Sequence, residues 1–256
     1  MPKEFASNIT VRRNKVLSKY IDIKTNKGLE IGPLHEPQID ASIYNVKYAD
    51  LQNKAGLMEY YRNDPNVPLE KIPNIDYVIE ASSPADAIGE IFDYIVANHV
   101  LEHCPNPISY LEELSKLLRK GGILFMAIPD KKFTFDKDRP LTTFDHIIGD
   151  YFEHATSVDF AHIFEFERIV ESPQCHLEEV LHRALERIRN WKKVMHMHYH
   201  VFSCESFREI LNQVLELRLL DFGCKFLDKT SENSCEFYVV LRKCDTDSKR
   251  EAMPIR

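Results

Sequence analysis

Residues 91–128 read IFDYIVANHVLEHCPNPISYLEELSKLLRKGGILFMAI, and this stretch decides the fold class. The apolar runs at 91–97 and 122–128 each have the length and side-chain types of a buried strand. Gly121 and Gly122 predict the C-terminal end of a helix that lies between the two apolar runs. A strand–helix–strand alternation predicts parallel strands joined by crossovers, with helices on both faces of the sheet. Five apolar residues of the connecting stretch recur at helical spacing: Ile108, Leu111, Leu114, Leu117 and Leu118.

Further apolar runs extend this pattern in both directions. A polar turn at 228–234 separates the final two runs, so we expect them to pair antiparallel at a sheet edge. Together the sequence predicts an α/β fold with seven strands in a mostly parallel sheet. The additional predicted strands cover 28–32, 44–49, 75–79, 217–222 and 235–241.

The stretch 131–200 interrupts the alternation. About 70 residues are too many for a plain connection in a domain of this kind, so we predict a helical cap over the mouth of the sheet. Helices are expected at 11–22, 142–152, about 174–193 and 204–215. The predicted organisation is an N-terminal helical segment (1–26), the first half of the sheet domain (27–130), the cap (131–200), a C-terminal helix with two strands (201–244) and a frayed tail (245–256).

Composition narrows the function classes. The 256 residues are 44% hydrophobic and 29% charged, which excludes a disordered chain and a coiled coil. A net charge of −7 disfavours nucleic acid as a partner and is compatible with a cationic ligand. No apolar run approaches the roughly 18 residues of a membrane span, and residues 1–9 lack a signal-peptide core. Six scattered cysteines without a CxxC pair predict a reduced, cytoplasmic protein.

Ligands of an open parallel sheet bind beyond the carboxyl ends of the strands, so the residues that follow each strand are the candidates. Gly32 ends the first strand in a turn that lets the main chain approach a ligand closely. Asp50 ends the second strand, where a carboxylate can accept hydrogen bonds from both hydroxyls of a ribose. Together the two features predict a cofactor that contains a nucleoside.

Four motifs in series resemble class I S-adenosylmethionine-dependent methyltransferases. The resemblance covers 27–130 and implies a Rossmann-like fold whose last strand is antiparallel, with S-adenosylmethionine as cofactor. The first motif departs from the family pattern, because Pro33 and Leu34 stand where later glycines are usual. A narrower likeness, in IPDKKFTFDKDRPLTT (128–143) and HVFSCESF (200–207), is to bacterial methyltransferases associated with polysaccharide and glycan biosynthesis. The four motifs are GLEIGPLHEP (28–37), YAD (48–50), FDYIVANHVLEH (92–103) and LLRKGGILFMAIP (117–129).

The resemblance also implies roles for individual residues. Glu30 and the turn at Gly32, with Pro33 and His35 beside it, would face the methionine part of the cofactor, and Asp50 would bind the ribose. The adenine pocket would be formed by Glu80, Ala81 and Ser82, and the sulfonium and amino-acid end would lie against Asn98 and His99.

Methyl transfer to a sugar or other small-molecule hydroxyl needs a base, because the hydroxyl pKa is far above 7, and histidine is suited to that task. The candidates are His198 and His200 in MHMHYH (195–200), His103, His146 and Asp130. No metal is part of the predicted site. Two alternatives for the histidine cluster are a solvated helix end and a divalent-cation site shared with Asp130 or Asp136.

Other functions fit less well. No G-x-G-x-x-G is present, which disfavours a dehydrogenase, and the Asn98-His99-Val100-Leu101 sequence lacks the Pro-Pro-Tyr turn of nucleic-acid N-methylation. A non-catalytic cofactor-binding partner subunit, and methyl transfer to a carboxylate or nitrogen, stay open.

Lys131 and Arg139 are candidate contacts for an acidic sugar or diphosphate, with a solvated charged face as the alternative. The exposed edge strands and cap helix are compatible with a homodimer.

Overall fold

A single mixed sheet of seven strands organises the molecule. The computed structural model describes residues 3–190 and 194–244, with side chains from residue 9 onward. The strand order across the sheet is β3-β2-β1-β4-β5-β7-β6. The strands are β1 (Gly28–Ile31), β2 (Val46–Asp50), β3 (Tyr77–Val78), β4 (Phe92–Asn98), β5 (Leu118–Pro129), β6 (Phe222–Asp228) and β7 (Glu236–Lys243).

The sheet pairing confirms the predicted Rossmann-like fold class. Strands β1 to β5 pair in parallel, and β7 runs antiparallel to both β5 and β6. The strand order reverses after β3: β2 and β3 lie on one side of β1, and the chain then returns so that β4 lies on the other side. That reversal opens a crevice beyond the carboxyl ends of β1 and β4.

Helices cover both faces of the sheet. Several of the helices begin at a residue whose side chain caps the first turn. Asn106, Thr143 and Asp159, for example, accept a hydrogen bond from a main-chain amide of the first turn. The helices are α1 (Lys3–Leu17), α2 (Lys54–Tyr60), α3 (Pro107–Lys116), α4 (Phe144–Phe152), α5 (Phe160–Phe166), α6 (Leu177–Ile188) and α7 (Cys204–Glu216).

The central strands are buried on both faces, which explains their continuous apolar sequence. On β4, Ile95 and Ala97 pack into the core beneath α3 and α7, whereas Tyr94 and Val96 point to the opposite core beneath α1. Alternate side chains of β5 divide between the same two cores. The sheet therefore gains its stability from two apolar layers and holds the ends of its strands rigidly.

Two local predictions were wrong. Residues 217–221 form no strand; α7 ends at Glu216, Arg218 takes a left-handed conformation with φ of 57°, and β6 begins only at Phe222. Gly121 and Gly122 do not cap α3, which ends at Lys116. They lie instead in a bulge of β5, where φ of Gly121 is +71° and a Cβ on Gly122 would approach a main-chain oxygen to 2.8 Å.

Other boundaries shift by a few residues. The first helix begins at Lys3 rather than 11, and α6 covers 177–188 of the predicted 174–193, of which 191–193 lie outside the described residues. The predicted tail, 245–256, also lies outside them. Helix α5 and the π-helical turn Glu167–Glu171 that continues it were not predicted from the sequence. Among the described residues, none of the helices combines the length and apolarity that a membrane crossing requires.

The segment between β5 and α7 contains α4, α5 and α6 and has a small core of its own, which includes Ile163, Phe166 and Ala184. It is tied to the sheet near the end of β4, where the main-chain oxygen of Glu102 accepts from the amides of Tyr199 (2.8 Å) and His200 (3.1 Å). This seam brings the histidine-rich stretch 195–200 beside the residues that follow β4.

Candidate active site

A cavity lies beyond the carboxyl ends of β1, β2 and β4 and contains about 900 Å³ of empty space, part of it open to solvent. One wall comes from α2, and Met195 contributes from the opposite side. Six of the residues predicted from the sequence line it together: Gly32, Asp50, Ala81, Asn98, His99 and His103.

The Glu30 side chain fixes the conformation of the turn that follows β1. Gly32 has φ of +65° and Leu34 has φ of 43°, so the chain turns sharply along the cavity edge. The Glu30 carboxylate is 2% exposed and accepts from the amides of Gln38 (2.6 Å) and Ile39 (2.9 Å). Burial raises the pKa of Glu30 to about 7 although these hydrogen bonds act in the other direction. Glu30 therefore positions the turn and does not itself face the cavity, which corrects its predicted role.

Asp50 stands on the cavity wall at the end of β2. Burial raises the pKa of its carboxyl to about 6, despite hydrogen bonds from the amides of Leu51 and Gln52. A carboxylate that is desolvated in this way gains strongly from a hydroxyl donor supplied by a ligand.

Asn98 presents a free acceptor toward the same space. Its Nδ2 donates to Oε1 of Gln38 at 2.9 Å, which fixes the amide. Its Oδ1 is buried and has no hydrogen-bond partner. Buried polar atoms are rarely left without a partner, so this oxygen indicates a donor on a bound ligand.

His99 takes a left-handed conformation with φ of 53°, which is uncommon outside glycine. Its amide donates to the Ala127 oxygen at 2.8 Å, and its Nε2 lies 2.7 Å from a carboxylate oxygen of Glu236. Arg13 binds both oxygens of the same carboxylate. Burial opposes ionisation of Glu236, but the bonds from His99 and Arg13 outweigh it and lower its pKa to about 2. Glu236 was not foreseen, because no local pattern connects the start of β7 with residue 99.

His103 lines the cavity beside His99. Its Nδ1 lies 2.9 Å from the main-chain oxygen of Met197, so Nδ1 carries the proton and Nε2 keeps its lone pair. Burial lowers the pKa of His103 to about 4, with the nearby Glu102 acting against that shift. The imidazole is therefore neutral at physiological pH and able to accept a proton.

Glu102 carries a buried carboxyl group in this region. Its side chain is 0% exposed, and neither carboxylate oxygen has a hydrogen-bond partner. Three imidazoles surround it instead, with nitrogens 3.7 Å (His99), 3.8 Å (His103) and 3.9 Å (His198) from Oε1. A carboxylate held in this way favours positive charge at the cavity wall.

His198 does not line the cavity, although it lies directly behind His103. Its Nδ1 is 2.6 Å from Oδ2 of Asp136, and burial of Asp136 is outweighed by His198 and Arg139, which lower the pKa of that carboxyl. Arg139 is 1% exposed and donates to Asp136 and to the His198 main-chain oxygen, each at 2.8 Å. Arg139 is thus a buried structural cation, and Lys131 donates to its main-chain oxygen. Arg139 is therefore not free for the predicted contact with an acidic sugar.

The three histidines of 195–200 point in three directions. His196 is exposed, with Nδ1 3.2 Å from the hydroxyl of Tyr60. His198 meets Asp136, and His200 is 1% exposed among residues of α4 and α5. The stretch is neither strand nor helix, so the solvated helix end considered from the sequence is wrong.

The remaining predicted residues lie elsewhere. Asp130 accepts from the Lys132 amide (3.1 Å) and the Thr230 hydroxyl (2.7 Å), so its carboxylate braces the loops beside β5 and is not available as a base. Ser82 lines a neighbouring cavity together with Ala81. The other residues absent from the main cavity lining are Pro33, His35, Glu80 and His200.

The chain is similar in sequence to known methyltransferases. Residues 4–214 match the family model described as "Methyltransferase domain", a range that includes the whole cavity lining. A ubiquinone biosynthesis O-methyltransferase of Parvibaculum lavamentivorans is 28% identical over 114 residues, which are 43% of this chain and 39% of that relative. The chain thus aligns with less than half of that relative.

Solved structures of methyltransferases resemble the chain at low identity. The CurJ carbon methyltransferase has a TM-score of 0.46 at 14% identity, with 92% of this chain and 54% of that chain covered. A Methanosarcina mazei protein described as SAM-dependent methyltransferase has a TM-score of 0.44 at 14% identity, covering 90% and 97%. An Aquifex aeolicus SAM-dependent methyltransferase has a TM-score of 0.46 at 12% identity, covering 90% and 89%.

Proposed function

This chain belongs to the methyltransferase-domain family, and from that premise we propose that it transfers a methyl group from S-adenosylmethionine to a hydroxyl oxygen of a small molecule or glycan, with a sugar hydroxyl favoured. The observation that carries the proposal is His103, a neutral imidazole on the cavity wall whose proton-bearing nitrogen is fixed by a main-chain oxygen. A methyl acceptor that is already a strong nucleophile needs no such base, whereas a hydroxyl does.

The residues present fit S-adenosylmethionine. Asp50 would accept hydrogen bonds from the ribose hydroxyls, and the main chain at Gly32 would lie against the methionine part. The unpartnered Oδ1 of Asn98 would accept from the ammonium group. The bound cofactor supplies an electrophilic methyl group on a positively charged sulfur.

The acidic residues near the strand ends suit that positive charge. Glu102 and Glu236 are both buried next to His99, and Glu236 stays ionised at physiological pH because of its low pKa. Carboxylates held in a low-dielectric wall interact with a nearby cation more strongly than they would in water. His99, which stands between them and the cavity, would position the acceptor against the cofactor.

His103 would receive the proton of the acceptor hydroxyl on Nε2 as the new carbon–oxygen bond forms. Glu102, with an oxygen 3.8 Å from that nitrogen, would stabilise the resulting imidazolium. Most of the rate acceleration is expected from holding the hydroxyl oxygen in line with the methyl group, within about 3–3.5 Å of it.

Two similarities support a hydroxyl acceptor. The curated relative from Parvibaculum lavamentivorans is named as an O-methyltransferase. The motifs at 128–143 and 200–207 resemble those of methyltransferases associated with glycan biosynthesis, which favours a sugar over an aromatic hydroxyl.

The cofactor part of the proposal is tested by calorimetry with S-adenosylmethionine and S-adenosylhomocysteine, with NAD as control. We expect both sulfur ligands to bind with micromolar affinity and NAD not to bind. Binding of neither sulfur ligand would contradict the proposal.

The acceptor part is tested by measuring S-adenosylhomocysteine release with panels of nucleotide sugars, free glycans, polyphenols, carboxylic acids and amines. Turnover with a sugar panel supports the proposal as stated. Turnover only with carboxylates or amines would refute the hydroxyl acceptor, and cofactor binding without turnover on any panel would favour the partner-subunit alternative.

A further inference from the structure

A second group of imidazoles lies behind the cavity wall, where α4 and α5 contact the irregular stretch that precedes α7. It consists of His146 on α4, His162 on α5 and His200, and Asp150 of α4 lies beside His146 and His200. None of these four residues lines the cavity of the proposed active site.

Three imidazole rings converge on one point. The nitrogens of His146, His162 and His200 that face each other lie within 4.8 Å of one another. The ring centroids are 4.7 Å (146–162), 5.6 Å (146–200) and 5.5 Å (162–200) apart, with interplanar angles between 81° and 84°.

Asp150 completes the group with an oxygen. Its Oδ2 lies 3.3 Å from Nε2 of His146 and 3.9 Å from Nε2 of His200. Ligand atoms of a tetrahedral zinc with bonds of about 2.0–2.1 Å are about 3.3 Å apart, so small side-chain movements would bring the four groups to coordination distance.

Several of the atoms that face this point lack hydrogen-bond partners. Nε2 of His162 and both ring nitrogens of His200 are buried and unpartnered, although main-chain oxygens of Cys104 and Pro105 lie near the His200 ring, whereas Oδ2 of Asp150 is within ion-pair distance of His146. The His200 side chain is 0% exposed. Several unsatisfied polar atoms around one point are costly unless a further group binds them.

The supporting contact of His162 is of the kind seen around metal ligands. Its Nδ1 lies 2.7 Å from a carboxylate oxygen of Asp159, which fixes that nitrogen as the donor and leaves the unpartnered Nε2 as the acceptor. A carboxylate bound to the far nitrogen of a histidine orients the ring and raises its basicity as a metal ligand.

We propose that His146, Asp150, His162 and His200 bind a zinc ion. Three imidazoles and one carboxylate are borderline and hard donors of the type zinc prefers. Four protein ligands leave no open coordination position, so the ion is structural rather than catalytic. This departs from the expectation of no metal, and from the alternative that paired the histidine stretch with Asp130 or Asp136.

The zinc would fasten the helical segment to the sheet. Two of its ligands lie on α4 and one on α5, and the fourth, His200, is bonded through its amide to the Glu102 oxygen after β4. The same segment holds Met197, whose main-chain oxygen orients His103. The ion would thus stabilise the wall of the active site without touching its substrates.

The experiment measures zinc in the full-length protein, purified without chelator and dialysed against buffer, by elemental analysis. We expect about one zinc per chain, and chelation is expected to lower the melting temperature by about 5–10 °C. The double variant His162→Asn/His200→Asn should lose the ion, and Asp159→Asn should weaken zinc binding about 10–100-fold. His182→Asn, an exposed histidine of α6, is the matched control and should keep one zinc.

A measurement on the unaltered protein keeps the test decisive if a variant fails to fold. X-ray absorption at the zinc edge should show three imidazoles and one oxygen, and cobalt substitution should give the intense visible absorption of a tetrahedral site. The proposal is overturned by a folded protein that binds no zinc at micromolar concentration, by sulfur in the coordination shell, or by a double variant that retains its zinc.

Discussion

Nδ1 of His103 lies 2.9 Å from the main-chain oxygen of Met197, 94 positions further along the chain. This one contact joins the turn after β4 to the helical segment inserted after β5. It also decides which nitrogen of the imidazole carries the proton, and therefore which nitrogen is able to act as a base toward the cavity.

Replacement of His103 by asparagine removes the proposed base while keeping a polar side chain. We expect kcat to fall about 10²–10⁴-fold, the range that general-base catalysis typically contributes. The dissociation constant of S-adenosylmethionine should change less than about threefold, because Asp50 and Asn98 are untouched. Initial rates and calorimetry measure the two quantities. The exposed His182→Asn variant serves as control, and a His103→Asn enzyme with full kcat would remove His103 from the mechanism.

Replacement of Asp50 by alanine should weaken S-adenosylmethionine binding about 100-fold. Two hydrogen bonds between a carboxylate and ribose hydroxyls are lost, each of the charge-assisted kind. Calorimetry with S-adenosylhomocysteine measures the change. Glu209→Ala provides the comparison, since Glu209 is an exposed residue of α7 and lies outside the cavity lining. Equal affinities of the two variants would show that Asp50 does not bind the cofactor.

Cofactor affinity and kcat should depend differently on pH. Asp50, with its pKa raised to about 6, gains a proton below that pH and loses acceptor capacity, so cofactor affinity should fall up to about tenfold per pH unit below pH 6. His103, with its pKa lowered to about 4, stays neutral, so kcat at saturating cofactor should be nearly constant from pH 8 to about pH 5. Rates measured across this range test both. A kcat that falls with a midpoint near 6.5 would contradict a desolvated His103 base.

Replacement of Gly28 by alanine should destabilise the sheet. A Cβ at this position would lie 2.2 Å from the ring of Tyr94, which is itself fully buried and unable to move aside. Overpacking of this kind costs about 1–3 kcal/mol, measured as a shift in the urea midpoint at constant slope. Gly89→Ala is the matched control, since nothing lies within 4 Å of a Cβ there, and its stability should stay the same or rise slightly.

Replacement of Arg139 by methionine should cost about 3–5 kcal/mol. The change removes one of two partners of the buried Asp136 carboxylate, which keeps only its contact with Nδ1 of His198, and a desolvated charge that loses a partner is strongly destabilising. Urea unfolding at pH 7 measures the loss. The Arg139→Lys variant keeps the charge but cannot donate at once to Asp136, Glu165 and the His198 oxygen, so an intermediate loss is expected. A loss below 1 kcal/mol in both variants would show that this network contributes little to stability.

The sequence by itself determined the alternation of strands and helices and the edge of the sheet where a ligand binds. Buried strands of β4 and β5 require apolar residues on both faces, and that requirement is visible as continuous apolar runs. Residues that directly follow parallel strands must gather at one edge, so Gly32, Asp50 and Asn98 could be placed together without coordinates.

The tertiary structure alone decided the partners of the histidines. His99 meets Glu236 across 137 positions and His198 meets Asp136 across 62, and His200 joins two histidines from helices α4 and α5. Such contacts depend on how the inserted helices pack on the sheet, which local periodicity does not encode. The sequence MHMHYH offered several candidate roles for its histidines, and packing of an irregular segment sends each ring to a different environment.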